Sequence, residues 1–176
     1  DAQVGRVLEA LRESRYRDNT IIILWSDHGW HLGEKNHWHK MTLWEEATRV
    51  PFVIVVPGVA GNGARCHRPV GLIDIYPTLI DVCNLSPRDD LDGLSLAPLL
   101  QNPRAKWARP ALTQYQPGQC SVRTEDLRYI RYRDGSEELY DHRTDPHEWT
   151  NLATDPRMEL HKREMATWIP KHLAEG

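Results

Sequence analysis

The sequence lacks the features that would indicate a membrane protein, a nucleic-acid-binding protein or a disulfide-rich domain. Its longest apolar runs, 21–25 and 52–56, are the size of strands and much shorter than a membrane-spanning helix. The net charge of −3 gives no reason to expect a nucleic acid or an anionic membrane as a partner. The three cysteines, Cys66, Cys83 and Cys120, are odd in number, widely spaced and match no zinc-binding pattern.

The composition is typical of a globular protein with an unusual choice of aromatic residues. Hydrophobic residues make up 40% and charged residues 27% of the chain, which is in the range of folded domains. A single phenylalanine stands against seven tryptophans. Because an indole combines an apolar face with one hydrogen-bond donor, tryptophan suits contacts with sugars as well as protein cores.

The first half of the chain alternates between helical and strand patterns. Apolar residues recur at helical spacing at the start of the chain, and a short helix is predicted near residues 42–47. Residues 21–25 and 51–56 are continuously apolar and rich in β-branched side chains, which predicts strands buried on both faces in a parallel sheet. The order helix, strand, helix, strand predicts an α/β fold.

A change of character near residue 105 predicts a division into two units. Before it, residues 73–82 predict a helix, and the leucine-rich stretch 94–100 predicts a further short helical piece. We expect residues 1–105 to form part of the α/β domain. Residues 106–176 are expected to form a small C-terminal subdomain.

This subdomain is predicted to be an antiparallel sheet packed under a helix. Asp134-Gly135 separates two strand-like runs and is a strong hairpin signal. Asp155 followed by Pro156 offers an N-cap and a first helical residue, so the last helix is predicted to begin there. The charged residues around the hairpin are interpreted as alternating solvated strand faces: Arg128, Arg131, Arg133, Glu137 and Glu138.

A candidate metal site lies just beyond the carboxyl end of the first predicted strand, where open α/β sheets bind ligands. Asp27 offers a carboxylate oxygen and His28 a neutral nitrogen, so the pair can bind a divalent cation. The pattern leaves alternatives open, because Asp27 could be a turn former or a helix cap and His28 a surface residue. It does not choose between calcium, magnesium, manganese and zinc.

Several ordered motifs around this pair resemble the sulfatase family. Residues 26–34 read Ser-Asp-His-Gly-Trp-His-Leu-Gly-Glu, and Trp38-His39-Lys40 follows in the same loop. The likeness is greatest to iduronate-2-sulfatase and its bacterial relatives. Further similar segments cover nearly the whole chain: 46–51, 74–79, 92–96, 121–124, 139–141 and 145–146.

The resemblance implies both a fold and a reaction. It implies the C-terminal part of an alkaline-phosphatase-like sulfatase sandwich, in an enzyme that removes sulfate from a sulfated sugar. In this family a Cys or Ser followed by x-Pro-x-Arg is oxidised to formylglycine, whose hydrate attacks sulfur. A calcium ion and basic side chains hold the sulfate. A metal ion and fixed ammonium groups can stabilise the charge that develops on the sulfate and the leaving oxygen.

The motifs imply roles for individual residues. Asp27 and His28 resemble two of the metal ligands, Lys40 resembles the lysine that contacts the sulfate oxygens, and Trp30 resembles a wall of the substrate pocket. From residue type alone, Lys40 could be a solvated surface lysine and Trp30 a core indole. Arg123 is a further substrate-binding candidate, since it could anchor an acidic sugar or lock the C-terminal sheet to the main domain.

Other parts of the family's machinery are missing from the sequence. No Cys or Ser begins the pattern x-Pro-x-Arg, and the paired N-terminal aspartates that complete the metal shell have no counterpart. The chain starts at Asp1 within a predicted helix and has no initiator methionine, so we expect it to begin within a larger protein. The missing N-terminal part is expected to carry the nucleophile, and this chain alone is expected to be inactive. The family implies an extracellular, periplasmic or lysosomal location.

Two alternatives stay open. The first is a metal-dependent phosphate or phosphonate ester hydrolase of the same superfamily, which places an Asp-His pair on a similar strand; bound zinc or manganese would favour it. The second is a non-catalytic carbohydrate-binding module that uses Trp30, Trp38 and Trp44 against sugar.

Overall fold

The computed structural model describes residues 1–171, which form five α-helices and six β-strands. The helices are α1 Ala2–Glu13, α2 Glu45–Thr48, α3 Ile75–Val82, α4 Ala97–Gln101 and α5 Glu159–Ala166. The strands are β1 Ile22–Trp25, β2 Phe52–Val55, β3 Ala111–Gln114, β4 Cys120–Arg123, β5 Leu127–Arg131 and β6 Glu137–Asp141. Within residues 1–171, no helix is long and apolar enough to cross a membrane.

Strands β1 and β2 pair with each other in antiparallel register, with Ile22 opposite Val55 and Trp25 opposite Phe52. The positions of both strands are confirmed, but the predicted parallel pairing is wrong. A continuous apolar run indicates burial and strand propensity. It does not indicate whether the strand runs parallel or antiparallel to its neighbour. Burial on both faces is also wrong for this chain, because Leu24 and Trp25 are 44% and 51% exposed.

The C-terminal part forms a four-stranded antiparallel sheet in the order β3-β4-β5-β6. The predicted hairpin is confirmed, and Gly135 in its turn has a φ of 84°, which only glycine adopts without strain. Strands β3 and β4 were not predicted, since each is four residues long and mixes apolar with polar residues. The sheet begins at Ala111; the division into residues 1–105 and 106–176 stays a prediction.

Both faces of this sheet are covered. One face packs against α5, which confirms the predicted packing of the sheet under the last helix; its core is Cys120, Val122, Leu127, Tyr129, Leu139, Ala153, Met165 and Ile169. The opposite face buries Ile130 and Tyr140 against Leu43, which precedes α2. The sheet therefore joins the last helix to the loop that follows β1.

The interpretation of the charged strand residues as solvated is wrong on the face that meets Leu43. Arg128 is 2% exposed, and its guanidinium donates to the Glu148 carboxylate at 2.6 Å and to Ser121 Oγ at 2.7 Å. Glu138 on β6 accepts a hydrogen bond from Trp44 Nε1 at 2.7 Å. Side chains do alternate between the two faces along these strands. The segments that cover each face lie far away in the sequence, and a local pattern does not reveal them.

Buried polar groups hold the loop after α3. The Asp74 carboxylate accepts a hydrogen bond from the backbone N of Leu94 at 2.9 Å. Thr78 Oγ1 accepts one from the backbone N of Leu96 at 2.8 Å. A Cβ at Gly93 would lie 2.2 Å from a backbone carbonyl oxygen, so the close approach requires glycine. These family-like segments therefore have a structural role here.

Candidate active site

The loop that leaves β1 is held against α2, and this contact fixes the start of the candidate site. The backbone N of Gly29 donates to the carbonyl oxygen of Ala47 at 2.8 Å. A Cβ at Gly29 would lie 1.9 Å from the carbonyl oxygen of Glu46, so a larger residue would have to displace α2. Asp27 and His28 therefore follow β1 in a defined position.

Three of the predicted site residues lie together. His28 Nε2 is 3.4 Å from the Asp27 carboxylate and 2.7 Å from Lys40 Nζ. His28 Nδ1 lies 2.8 Å from the carbonyl oxygen of Gly29. Because a carbonyl oxygen only accepts, this contact assigns the imidazole proton to Nδ1. Nε2 then presents a lone pair, which accepts a hydrogen bond from the Lys40 ammonium.

This donor set fits part of the shell of a divalent cation. The Asp27 side chain is 82% exposed, so its carboxylate is accessible, and the hydrogen bond at Nδ1 orients Nε2 of His28. Lys40 Nζ points at the same nitrogen, so the ammonium would have to move aside before a cation could bind there. Calcium takes about six to eight ligands, so these two residues would provide only part of its shell.

One exposed indole, Trp30, lies beside this group, and a second, Trp38, belongs to the same loop. The Trp30 ring centroid is 6.3 Å from that of His28, the rings are tilted by 41°, and the indole is half exposed. The core-indole alternative for Trp30 therefore does not apply to this chain. Trp38 is also exposed, and its ring would lie 3.3 Å from a Cβ placed at Gly33. Flat apolar faces next to charged groups are suited to sugar binding.

The neighbouring histidines form a small core inside the same loop. His31 is fully buried, and its Nε2 lies 2.8 Å from Thr42 Oγ1. Its ring makes edge contacts with His37 and Trp44, at 5.1 and 5.8 Å between centroids. Burial lowers the pKa of His31, so the ring is neutral near pH 7. We therefore assign His31 to the packing of the loop that carries Lys40.

Arg123 lies on β4, where the C-terminal sheet meets α2. Its Nε donates to the Glu45 carboxylate at 3.1 Å, and its guanidinium also donates to the carbonyl oxygens of Thr124 and Glu125. These contacts correspond to the structural alternative, in which Arg123 locks the sheet to the main domain. Contact between Arg123 and an acidic sugar stays a prediction.

A second group of potential metal ligands is formed by Glu45, His142 and Glu148, whose ligand atoms lie within 4.8 Å of one another. The Arg128 guanidinium donates to both carboxylates, at 2.6 Å in the case of Glu148. Burial alone would raise the pKa of Glu45, but Arg128 and Arg123 lower it to about 2. Because guanidinium groups already compensate these carboxylates, we interpret the group as a buried ion cluster and not as a metal site.

Sequence reasoning missed this cluster. Glu45 lies on α2, Arg128 on β5, and Glu148 in the segment after β6. Charged residues at such separations have no common spacing, so their association follows from the tertiary fold alone. The only signal in the sequence was the strand alternation that places Arg128 on the same face of β5 as the apolar residue Ile130.

Several curated proteins similar to this chain are described as sulfatases. A family model described as Sulfatase matches residues 1–85. A sulfatase of Formosa agariphila is 38% identical over 171 residues, covering 97% of this chain and 34% of that protein. Arylsulfatase K of Mus musculus is 34% identical over 170 residues, covering 88% of this chain and 31% of that protein. The chain thus spans about a third of the length of the curated relatives it matches.

Solved structures of a sulfatase and of a phosphonate hydrolase are also similar to this chain over part of their length. A 2-O GAG sulfatase superposes with a TM-score of 0.82 and 28% identity, covering 94% of this chain and 38% of that one. The phosphonate monoester hydrolase of Agrobacterium radiobacter superposes with a TM-score of 0.82 and 29% identity, covering 94% and 37%. The fold is therefore that of the alkaline-phosphatase-like proteins, as predicted. The partial coverage is consistent with the expectation that the chain corresponds to one portion of a larger enzyme.

Proposed function

We propose that this chain is the C-terminal portion of a sulfuric ester hydrolase of the sulfatase family, which removes sulfate from a sulfated sugar. The observation that carries this proposal is the grouping of Asp27, His28 and Lys40 at the end of β1. A carboxylate, an oriented imidazole and an ammonium group are the residue types that a bound metal and a sulfate ester require.

In this proposal Asp27 and His28 hold part of the shell of a divalent cation, with calcium as the expected ion. The ion, when bound, would polarise the sulfate oxygens. Lys40 donates to a sulfate oxygen and stabilises the negative charge that develops during cleavage of the ester. Lys40, which contacts His28 in the structure, would leave this nitrogen when the cation and the sulfate bind.

The nucleophile is proposed to come from the missing N-terminal part of the same enzyme, as a formylglycine. That part would also complete the metal shell and is the expected partner of this chain. Trp30 would form one wall of the pocket. The finer assignments, an iduronate-2-sulfatase-like specificity for a glycosaminoglycan and an extracellular, periplasmic or lysosomal location, also belong to this proposal.

A second candidate function is the hydrolysis of a phosphonate or phosphate monoester. It is favoured by the superposition on the phosphonate monoester hydrolase of Agrobacterium radiobacter. The same charged group at the end of β1 could bind a phosphonate in place of a sulfate. The two candidates differ in the ester that is cleaved and in the metal: calcium favours the sulfatase, and zinc or manganese favours the phosphonate or phosphate esterase.

The test uses this chain preceded by an upstream sulfatase segment that carries the Cys/Ser-x-Pro-x-Arg motif. An aryl sulfate, a sulfated uronide and an aryl phosphonate are assayed with calcium, zinc or manganese. We expect turnover of the sulfates with calcium. Lys40→Ala is expected to cost about 2–4 kcal/mol of transition-state stabilisation, seen as a lower kcat/KM.

Lys162→Ala is the matched control, because Lys162 pairs with Glu137 on the face of the sheet that meets α5. This control is expected to retain the kcat/KM of the parent enzyme. Unchanged turnover in Lys40→Ala would remove Lys40 from the mechanism. Preferred cleavage of the phosphonate would replace the proposal by the second candidate. Sustained sulfate turnover by the isolated chain, above an Asp27→Ala variant, would show that the nucleophile lies within it.

A further inference from the structure

The loop between β1 and α2 is attached to the C-terminal sheet on both sides of Lys40. The attachment before Lys40 is made by Lys35, and the attachment after it is made by residues 43–45. Lys40 itself extends from the intervening segment to His28, with 2.7 Å between Nζ and Nε2. The position of Lys40 therefore depends on contacts made by its neighbours in the chain.

Lys35 is held in a half-buried aromatic site. Its Nζ donates to Tyr140 Oη at 3.0 Å and to the carbonyl oxygen of Glu148. The ammonium lies 4.5 Å from the Trp44 ring centroid and 4.6 Å from that of Tyr140, which is the geometry of a cation–π contact on each side. Burial lowers the pKa of Lys35, and the carboxylates of Glu138 and Glu148 oppose that effect. A lysine is ordinarily solvated, so this site needs an explanation.

The backbone at Lys35 is also unusual. Lys35 and Asn36 have φ values of 53° and 57°, both in the left-handed region. Two successive non-glycine residues in this region raise the free energy of the loop and persist where surrounding contacts hold them. The Lys35 side chain connects this turn to β6 of the sheet through Tyr140.

The attachment after Lys40 uses the same part of the sheet face, because Arg128 on β5 pairs directly with Tyr140 on β6. The carbonyl oxygen of Leu43 accepts from the Arg128 guanidinium at 3.1 Å. Trp44 Nε1 donates to Glu138 at 2.7 Å, so the ring that contacts Lys35 is itself fixed to β6. Segment 36–42, which includes Lys40, therefore lies between two points of contact with the sheet, that of Lys35 with β6 and that of Leu43 with β5.

We propose that Lys35 is a positioning residue, which clamps the loop to the C-terminal sheet and so holds Lys40 in place against His28. The contribution to catalysis rests on the proposed sulfatase function, whereas the effect on the position of the loop does not. The C-terminal sheet would then set the geometry of the active site without contributing a side chain to the reaction.

Lys162 separates this role from plain stabilisation. It is also a half-buried lysine, and it donates to Glu137 at 2.9 Å and to the carbonyl oxygen of Ala153 at 3.2 Å. It therefore joins β6 to the segment before α5, on the face of the sheet that is turned away from the loop. Lys35→Met and Lys162→Met each remove two hydrogen bonds of an ammonium group, one variant on each face of the sheet.

The experiment measures hydrogen–deuterium exchange of the peptide covering residues 36–42 in the enzyme completed by the upstream segment, well below its melting temperature. Lys35→Met is expected to raise exchange in this peptide and to lower kcat/KM about 10- to 100-fold, mainly through kcat, since misplaced catalytic groups slow the reaction. Lys35→Arg keeps a cation between the rings and is expected to recover most of both losses. Lys162→Met is expected to leave exchange in this peptide and kcat unchanged.

Equal exchange in Lys35→Met and the parent enzyme, or the same pattern in Lys35→Met and Lys162→Met, would overturn the proposal. If Lys35→Met fails to fold, Tyr140→Phe removes one acceptor of the ammonium and is expected to raise exchange in residues 36–42 to a smaller extent; no rise would overturn the proposal. The exchange measurement stands apart from the reaction. If no sulfate ester is cleaved by the parent enzyme, the proposed function fails, and the exchange comparison still decides the role of Lys35.

Discussion

The two sheets of the structure differ in how far the rest of the chain covers them. In the four-stranded sheet, Ile130 and Leu139 lie on opposite faces, and both side chains are fully buried. In the two-stranded sheet Leu24, Trp25 and Val53 are each about half exposed. The candidate active site follows the poorly covered sheet, while its loop is attached to the well covered one. The buried core of the C-terminal sheet and the candidate catalytic residues after β1 therefore lie in different parts of the chain.

The two faces of the four-stranded sheet differ in a second way. The face against α5 is an apolar core, with Cys120, Val122 and Leu139 fully buried. The face against the active-site loop combines apolar contacts with the ion cluster around Arg128. Apolar packing tolerates small shifts, whereas hydrogen-bonded ion pairs require one geometry. A face of the second kind is suited to fixing the position of a loop.

The largest expected effect comes from breaking the ion cluster. Arg128→Met keeps much of the side-chain volume but leaves the carboxylates of Glu45 and Glu148 buried without their main cation. Removing one partner of a buried ion pair costs about 3–5 kcal/mol, so the free energy of unfolding should fall by that order. Urea denaturation followed by circular dichroism measures the change.

Arg157→Met is the control for Arg128→Met. Arg157 also pairs with a carboxylate, that of Asp155, but its side chain is 88% exposed. Water screens this pair, so the denaturation midpoint should not move measurably. Equal midpoints for the parent, Arg128→Met and Arg157→Met would contradict the distinction between the ionic face and the solvated surface.

Much of the fold follows from local patterns. The helical spacing at the start of the chain, the two apolar runs and the Asp134-Gly135 turn each predicted an element that the structure contains. Strand direction and the cover of each sheet face were predicted wrongly, because they depend on which distant segments meet. Strands β3 and β4 were missed, since four residues of mixed polarity carry little signal.

The candidate site divides in the same way. Asp27, His28 and Lys40 could be predicted because they occur in motifs, and the structure brings them together. The supports of the site, Lys35 and the Arg128 cluster, were not predicted. Lys35 and Arg128 are common surface residue types, and here both are buried where the loop meets the C-terminal sheet, two parts of the chain that are far apart in the sequence.

An intermediate effect is expected from acid. The pKa of Glu45 is lowered from 4.5 to about 2, because Arg128 and Arg123 outweigh the effect of burial. A lowered pKa in the folded state contributes stability that is fully present above the unfolded value and is lost as the pH falls through the folded value. Stability should therefore decline between about pH 4.5 and pH 2.

Glu45→Gln tests this assignment. It removes the titrating group from the cluster formed with Glu148, His142 and Arg128, so it should be less stable than the parent at pH 7 and lose less stability on acidification. Glu164→Gln, at an exposed position on α5, should follow the parent chain at every pH. Denaturant titrations at pH 7, 4.5 and 3 measure both slopes. A Glu45→Gln variant that loses as much stability in acid as the parent would assign the acid sensitivity to other carboxyl groups.

The smallest effect is expected on the open face of the two-stranded sheet. Val53 pairs with Leu24 across the antiparallel register and is 47% exposed. Val53→Thr keeps the β-branched shape that suits a strand and changes a side chain that already contacts water. The free energy of unfolding of this chain should therefore change by less than about 0.5 kcal/mol. Denaturation at two protein concentrations is the measurement, because association through this apolar face would cover Val53 and make the cost depend on concentration. In the enzyme completed by the upstream segment, Val53→Thr should lower the free energy of unfolding by more, since further strands would bury this face of the two-stranded sheet. An equal, small cost in both forms would show that the two-stranded sheet stays open in the complete enzyme, and the contrast between the two sheets would then be a permanent feature of the fold.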